Sequence, residues 1–61
     1  MQNKFKEGDK VKVINNHSYY INFEGKVMAV GYKPITGYNY IVNVGDYIQP
    51  LFYEKELVKI S

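Results

Sequence analysis

Lysine and valine alternate from Lys10 to Val13, in the segment KVKV. Successive side chains of a β-strand point to opposite faces of the sheet, so this pattern predicts a strand with one dry valine face and one wet lysine face. The apolar residues of the whole chain agree, because 13 are Val or Ile and 10 are Phe or Tyr, while Leu, Met and Ala together number five. Branched and aromatic side chains favour a pleated sheet, whereas the best helix formers are scarce. The sequence therefore predicts an all-β protein.

The chain has 61 residues, which we assign to one small domain over residues 1–61. A domain of this size buries only about 60% of the surface that its unfolded chain exposes, so we expect a net stability of a few kcal/mol. The absence of cysteine excludes disulfides and thiolate zinc sites as supports. No apolar run approaches the roughly 20 residues of a membrane span, and the polar start MQNKFKEGDK is unlike a signal peptide. We therefore expect no membrane association, with the cytoplasm as the default location.

Glycine, proline and asparagine divide the rest of the chain into further strands. Asn15–Asn22 has no clean period and indicates a long loop, while Pro34 and Gly37 favour a tight turn. Gly25 and Gly31 predict bends or bulges inside a strand. The predicted strands are Asp9–Asn15, Phe23–Lys33, Tyr38–Val44, Tyr47–Tyr53 and Leu57–Ile60, with one 3₁₀ turn over Glu54–Glu56.

The turn between the third and fourth predicted strands raises a conflict of register. The dipeptide Gly45–Asp46 fits a two-residue type II′ turn. That turn would place Tyr40 opposite Leu51 and leave Phe52 on the other face, so both faces of the sheet would carry large apolar groups. We expect a bulge near Pro50 to reset the register and bring Phe52 inside.

Two segments resemble the sequence patterns of known barrel proteins. One is EGDKVKVINN…FEGKVMAV, which is similar to the KOW motif: a Gly-Asp-x-Val-x-Val strand, a loop and a Gly-x-Val strand, with Gly25 in the place of that family's key glycine. Its loop is longer than the usual KOW loop and carries HSYY. The other is YNYIV…LFYEKELVKI, which resembles the end of many SH3-like barrels, where an aromatic residue precedes an acidic turn and a leucine fills the core. The matching residues are Phe52, Glu56 and Leu57.

The resemblance implies a single small five-stranded SH3-like barrel, KOW-like in its first half, with one 3₁₀ turn before the last strand. Small, uncharacterised proteins encoded by phages and prophages resemble the same combination and often consist of a lone barrel of this type. Members of the KOW family contact ribosomal RNA or the transcription machinery, whereas related barrels bind peptides or proteins. The resemblance therefore implies a fold and leaves both classes of partner open.

The residues needed for enzyme chemistry are scarce. His17 is the single histidine, and no base with an orienting group is implied by the spacing of the three Ser and Thr residues. Glu54 and Glu56 stand beside Lys55 on a turn, a pattern more typical of a solvated surface than of an acid–base pair. We predict that the protein is not an enzyme and holds no cofactor and no metal.

Tyrosine is in excess, with seven residues in the chain. So small a core cannot bury seven hydroxyl groups with partners, so some rings must be exposed. We expect Tyr40 to point inward and at most one of the adjacent Tyr19 and Tyr20 to do so. Exposed tyrosine recurs at binding surfaces because it gives contact area at low entropic cost, although half-buried tyrosines could also cap the ends of a tiny barrel. The predicted partner-binding residues are Tyr19, Tyr20, Tyr32 and Lys33, together with the Lys33–Gly37 turn.

Lysine forms the second pattern. Lys10 and Lys12 are expected to face outward, with Lys26 and Lys59 on the strands that commonly flank the first strand in such barrels. Together these four side chains could form a basic stripe for phosphates, with tyrosines stacking on bases. Lysine at outward strand positions also serves solubility alone, and the chain has a net charge of only +2 and no arginine.

Three functions remain open from the sequence. The first is a non-catalytic module, such as a phage accessory factor that binds a host or viral protein through exposed tyrosines. The second is a KOW-like RNA- or DNA-binding module of the transcription or translation machinery. The third is a structural subunit that joins a larger assembly by strand addition at an exposed edge near Pro50. The tyrosine excess beside a weak net charge favours a protein partner.

Overall fold

The alternating segment KVKV is the first strand of a five-stranded antiparallel sheet in the computed structural model, which describes residues 4–60. Across the sheet the order is β4-β3-β2-β1-β5. Residues 4–60 contain no α-helix, which confirms the all-β prediction, and thus no helix that could cross a membrane. The strands are β1 (Lys10–Val13), β2 (Glu24–Lys33), β3 (Gly37–Asn43), β4 (Leu51–Tyr53) and β5 (Leu57–Lys59), with a 3₁₀ turn over Glu54–Glu56.

One apolar core takes residues from all five strands. Val11 and Val13 are fully buried, as their alternation with lysine predicts. Phe52 on β4 and Leu57 on β5 belong to the same core although their strands are the two edges of the sheet, so the sheet is strongly curled. Among the described residues no ladder joins β4 to β5, and the hydrogen-bonded sheet is therefore open. The buried core residues are Phe5, Val11, Val13, Val27, Tyr40, Val42, Phe52 and Leu57.

The glycines of β2 serve close packing, and the bulge of this strand lies elsewhere. The sequence predicted bends or bulges at Gly25 and Gly31, but the register of β2 against β3 shifts at Met28. A Cβ atom at Gly25 would lie 2.3 Å from the Asn43 carbonyl oxygen, and one at Gly31 would lie 2.7 Å from Asn39 Oδ1. Gly25 therefore requires glycine because the backbone of the neighbouring strand passes too close for a side chain, whereas at Gly31 the close group is the side chain of Asn39.

The hairpin of β3 and β4 turns one residue later than predicted. The Ile48 N–H donates a hydrogen bond to the Gly45 carbonyl oxygen at 2.8 Å, so the two central residues are Asp46 and Tyr47. Asp46 has a φ of 45°, in the left-handed region that aspartate tolerates better than most residues. The predicted turn centred on Gly45 and Asp46 is therefore wrong by one position.

A register shift in this hairpin brings the predicted aromatic residue into the core. Between the turn and β4, three residues on the β3 side lie opposite two residues on the other side. The extra residue sets Tyr40 opposite Phe52, and Phe52 is buried, as the expected bulge near Pro50 requires. Pro50 has no N–H for the ladder, and β4 begins only after it, at Leu51 instead of Tyr47.

The remaining predicted strands agree with the observed ones to within two residues at each end, and the 3₁₀ turn lies where it was predicted. The long loop between β1 and β2 is tied down at its base. The Asn22 N–H donates to the Val13 carbonyl oxygen at 2.9 Å, and the Ile14 N–H donates to the Glu56 carbonyl oxygen at 2.8 Å. His17 is exposed at the far end of this loop.

Candidate functional site

A groove lies at one end of the sheet, between the turn that joins β2 to β3 and the 3₁₀ turn that precedes β5. Its volume is about 840 Å³. Three tyrosines contribute to its walls, and we call it the tyrosine groove. The lining residues are Tyr32, Pro34, Ile35, Thr36, Gly37, Tyr38, Tyr53, Glu54 and Lys55.

An aromatic pair forms one wall of the tyrosine groove. The short turn between β2 and β3 sets Tyr32 directly opposite Tyr38. Their rings meet edge to face, with centroids 4.9 Å apart and planes at 61°. Tyr38 lies two residues before the buried Tyr40 and therefore on the same face of β3. The core ends here, and Tyr32 remains 59% exposed.

Ile35 and Tyr53 form the rim of the tyrosine groove. Ile35 occupies the tip of the β2–β3 turn and is 96% exposed. Tyr53 closes the other side at the end of β4, and its N–H donates to Glu56 Oε1 at 2.8 Å. That hydrogen bond holds the start of the 3₁₀ turn, and with it the orientation of the groove wall. The groove therefore combines fixed backbone with exposed apolar side chains.

Glu54 gives the tyrosine groove a carboxylate in a fixed position. Its Oε2 atom accepts a hydrogen bond from the Tyr40 hydroxyl at 2.7 Å and one from the Lys4 backbone N–H at 3.0 Å. These donors lower the pKa of Glu54, the Lys4 N–H most of all, so the carboxyl is ionised near neutral pH. Burial raises the pKa of Tyr40 to about 12, and its hydrogen bond to Glu54 adds to that shift.

The predicted binding loop forms a separate aromatic cluster. Tyr20 packs against the core, with ring centroids 5.6 Å from Phe23 and 6.0 Å from Phe52. Tyr19 rests edge-on against Tyr20 at 5.1 Å and is 85% exposed. At most one of the two adjacent tyrosines points to the core, as expected. Neither of them lines the tyrosine groove.

The structure therefore divides the predicted partner-binding set. Tyr32 lines the groove, Lys33 is exposed beside it without lining it, and Tyr19 and Tyr20 belong to the loop cluster. Sequence reasoning missed Tyr38 as a groove residue, although a signal was available. Tyr32 and Tyr38 lie at equal distances from Ile35, so a tight turn centred there pairs them across the strands.

Sequence reasoning also missed Tyr53 and Glu54, and no local signal could have found them. Both were expected at the end of a strand and on a solvated turn. Their place in the groove depends on how β4 and the 3₁₀ turn pack beside β3, since the Lys4 N–H that holds Glu54 is 50 residues away in the chain. Only the tertiary fold brings such distant residues together.

The lysines predicted as a stripe are only partly aligned. Lys10 lies directly opposite Lys26 on the β1–β2 ladder, and both side chains are exposed. The next outward position sets Lys12 opposite Glu24, which places a negative charge in the row. Three of the four lysines thus share the outer face, and a carboxylate interrupts them.

Lys59 departs from the predicted stripe. It pairs with Val11, whose side chain is buried, so its own side chain starts from the inner face of the sheet. Its Nζ lies 3.8 Å from Asp9 Oδ2. The buried residue of β5 is Leu57, and Lys59 lies two residues after it, on the same face.

Comparison of the chain with protein-family models, with curated proteins and with solved structures returns no match. Within residues 4–60, no three histidine or carboxylate side chains come together as a metal centre requires. The tyrosine groove is thus the main candidate for a functional site, because it joins volume, exposed aromatic surface and a fixed charge in one place.

Proposed function

We propose that this chain is a non-catalytic binding module, built as an SH3-like barrel, that holds a segment of a protein partner in the tyrosine groove. The barrel is supported by the strand order, in which β1 lies between β2 and β5, and by the 3₁₀ turn before β5. A core shared by both edge strands supports it as well. The resemblance to phage proteins makes a host or viral protein the expected partner.

One observation carries the proposal: exposed aromatic and aliphatic side chains gather around a single open groove. Tyr32 and Ile35 expose most of their surface there, and Tyr38 and Tyr53 complete the walls. Aromatic anchors in such a site supply most of the binding energy of typical protein interfaces. The edge-to-face packing of Tyr32 on Tyr38 holds the anchor in place before binding and lowers its entropic cost.

Selection from a random peptide library displayed on an unrelated carrier tests this proposal. We expect peptides selected on the immobilised full chain to bind the Tyr32→Ala variant about tenfold more weakly or worse, as for loss of an interface anchor. Tyr47→Ala is the matched control, because Tyr47 is 95% exposed on the other hairpin turn, outside the groove. Equal binding to Tyr32→Ala and the unchanged chain would refute the groove as the site.

The loop cluster offers a second test of the same binding surface. Tyr19→Ala removes an exposed ring. Among the aromatic contacts of residues 4–60, this ring packs against its neighbour Tyr20 alone. A loss of peptide affinity in this variant, with an unchanged melting curve, would extend the binding surface to the loop. Unchanged affinity would confine it to the tyrosine groove.

A nucleic-acid contact is a second candidate, favoured by Lys10 and Lys26. Two lysines directly opposite each other repel, and a phosphate between them would relieve that repulsion. A fluorescence titration with single-stranded RNA at about 50 mM and about 200 mM salt tests this candidate, because phosphate contacts weaken steeply with salt. Lys10→Gln should weaken binding and Lys59→Gln should not. Absence of binding at the lower salt would exclude this function.

Assembly by strand addition at β4 is disfavoured because few backbone N–H groups of this strand are available to a partner. Tyr40 and Phe52 form a hydrogen-bonded pair in the register of this ladder, so the outward-facing backbone groups of β4 belong to Leu51 and Tyr53. The Tyr53 N–H is already bound to Glu56 Oε1. Leu51 therefore remains as the N–H donor of β4 that an added strand could use. This supports side-chain binding in the groove over backbone pairing at this edge.

A further inference from the structure

We propose that the tyrosine groove receives a basic side chain, lysine or arginine, from its protein partner, with the cation held between the Glu54 carboxylate and the faces of the tyrosine rings. This inference rests on the proposed function and names the chemistry of the partner at the same site.

The Glu54 carboxylate is prepared for a cation. Both of its recorded hydrogen bonds go to Oε2, and both donors, the Tyr40 hydroxyl and the Lys4 backbone N–H, are uncharged groups. They hold the carboxylate in one position without neutralising it. Within residues 4–60 the recorded ion pair is Lys59 with Asp9, so no described cation lies within ion-pair distance of Glu54. The charge of Lys4 also attracts Glu54 and adds to the lowering of its pKa, but the two groups form no ion pair, so the oriented carboxylate still favours a cationic guest.

The ring walls add to this preference. The face of a tyrosine ring is electrically negative, so a cation near it is attracted, and arginine in particular stacks on it. Tyr32, Tyr38 and Tyr53 line the groove together with Glu54. An acidic guest would meet these rings and the carboxylate, and the one cationic side chain in the lining would be Lys55. The balance therefore favours a basic guest over an acidic one.

The charge of Lys55 allows a test of whether the guest is basic or acidic. Lys55 lines the tyrosine groove and is exposed, and Lys33 is exposed next to the groove without lining it. Both ammonium groups oppose a cationic guest and would favour an anionic one. Removal of the Lys55 charge should therefore strengthen binding of a basic guest and weaken binding of an acidic one.

A nuclear magnetic resonance titration of the full chain provides the test, with N-acetyl-arginine methylamide as the probe. The control probe is N-acetyl-citrulline methylamide, which has nearly the same shape and no charge. We expect arginine to shift the amide signals of the groove residues and to bind about fivefold more tightly than citrulline or better. Glu54→Gln should remove most of that difference, and Lys55→Gln should increase it. Glu24→Gln, an exposed carboxylate outside the tyrosine groove, should leave it unchanged.

Two results would overturn the inference. One is equal binding of arginine and citrulline by the unchanged chain, and the other is a difference that is as large in Glu54→Gln as in the unchanged chain. Circular dichroism monitors the fold of Glu54→Gln, and Lys55→Gln keeps the test valid if Glu54→Gln unfolds, because Lys55 has no recorded ion pair within the described residues.

The library selection distinguishes this inference from the proposed function. Selected peptides that depend on Tyr32 and are enriched in lysine or arginine support both. Peptides that depend on Tyr32 without such enrichment support the groove and contradict the basic guest. Peptides that bind independently of Tyr32 contradict the proposed function itself.

Discussion

The β3–β4 hairpin and the segment that leads into β1 belong to one sheet but differ sharply in charge. From Gly37 to Tyr53, 17 residues carry one charged side chain, Asp46, whereas the nine residues from Lys4 to Lys12 carry six. Both regions bury comparable core residues, such as Tyr40 and Val11. Their difference therefore lies in what each shows to solvent, lysine on one side and tyrosine or aliphatic groups on the other.

So small a protein thus divides its surface into a charged part and an apolar part. Charged side chains oppose association, whereas exposed apolar side chains favour it, so the two regions differ in the contacts that their surfaces favour. The tyrosine groove lies at the end of the hairpin opposite its turn, and its one carboxylate belongs to Glu54, whose hydrogen bonds from Tyr40 and Lys4 join the two regions. Four sets of substitutions test this division.

Phe52→Ala and Leu51→Ala separate the inner and outer faces of the hairpin. Phe52 is buried in the core, and its truncation should cost about 3–5 kcal/mol, comparable to the whole stability of a domain this small. Leu51 is 47% exposed on the other face and should cost less than about 1 kcal/mol. Circular dichroism with urea unfolding measures both. Similar losses in the two variants would show that the outer face is packed after all.

Tyr40→Phe tests the bond that joins the hairpin to the 3₁₀ turn. Loss of the hydroxyl that donates to Glu54 should cost about 1.5–3 kcal/mol at neutral pH, because the acceptor is charged. The pKa of Glu54 should rise toward its ordinary value, since one of the two donors that lower it is gone.

The stability of the same variant should depend on pH differently from that of the unchanged chain, at both acid and alkaline pH. Because the folded pKa of Glu54 is lowered, its stabilisation is present above the unfolded pKa and is lost as pH falls through the folded one. Because the folded pKa of Tyr40 is raised to about 12, its contribution is complete below the unfolded value and is lost as pH rises through about 12. Urea unfolding midpoints measured across the pH range should show that Tyr40→Phe loses less stability in acid than the unchanged chain. The variant should also lack the loss of stability near pH 12 that Tyr40 causes. Identical profiles would contradict the assignment.

Gly25→Ala and Gly31→Ala compare two close approaches on β2. The added methyl group at Gly25 meets the backbone of Asn43, which cannot move without breaking the ladder, so we expect a loss of about 1–3 kcal/mol. At Gly31 the group met is the side chain of Asn39, which can rotate, so the loss should be smaller. Thermal unfolding ranks the two variants, and the reverse order would count against the close strand contact at Gly25.

Lys10→Glu addresses the charged region and should have the smallest effect. The substitution turns the repulsion between Lys10 and Lys26 into attraction, which should stabilise the fold by about 0.2–1 kcal/mol. The gain should shrink in high salt, because the two exposed charges are screened. Lys33→Glu, at an exposed position beyond this pair, is the control. A gain of equal size in the control would reflect net charge and not the pair.

Much of the fold was predictable because its signals are local. Alternation placed β1 and its buried valines, and branched and aromatic composition predicted an all-β chain. The 3₁₀ turn and the inward position of Tyr40 also followed from neighbouring residues. The position of the hairpin turn did not follow, because Gly45 satisfies two turns one residue apart and both leave Phe52 on the outer face. The extra residue between the turn and β4, which brings Phe52 into the core, has no signal in the neighbouring sequence.

The candidate site shows the same limit more strongly. The chain's own pattern determined that tyrosines would be in excess over what a small core can bury, and that charge would gather near β1. The tertiary structure alone decided which tyrosines meet, where Glu54 lies and which lysines share a face. These outcomes depend on strand pairing and on contacts such as that of Lys4 with Glu54 across 50 residues. Alternation specifies the face of each side chain, but only the packing of a curled sheet specifies its neighbours.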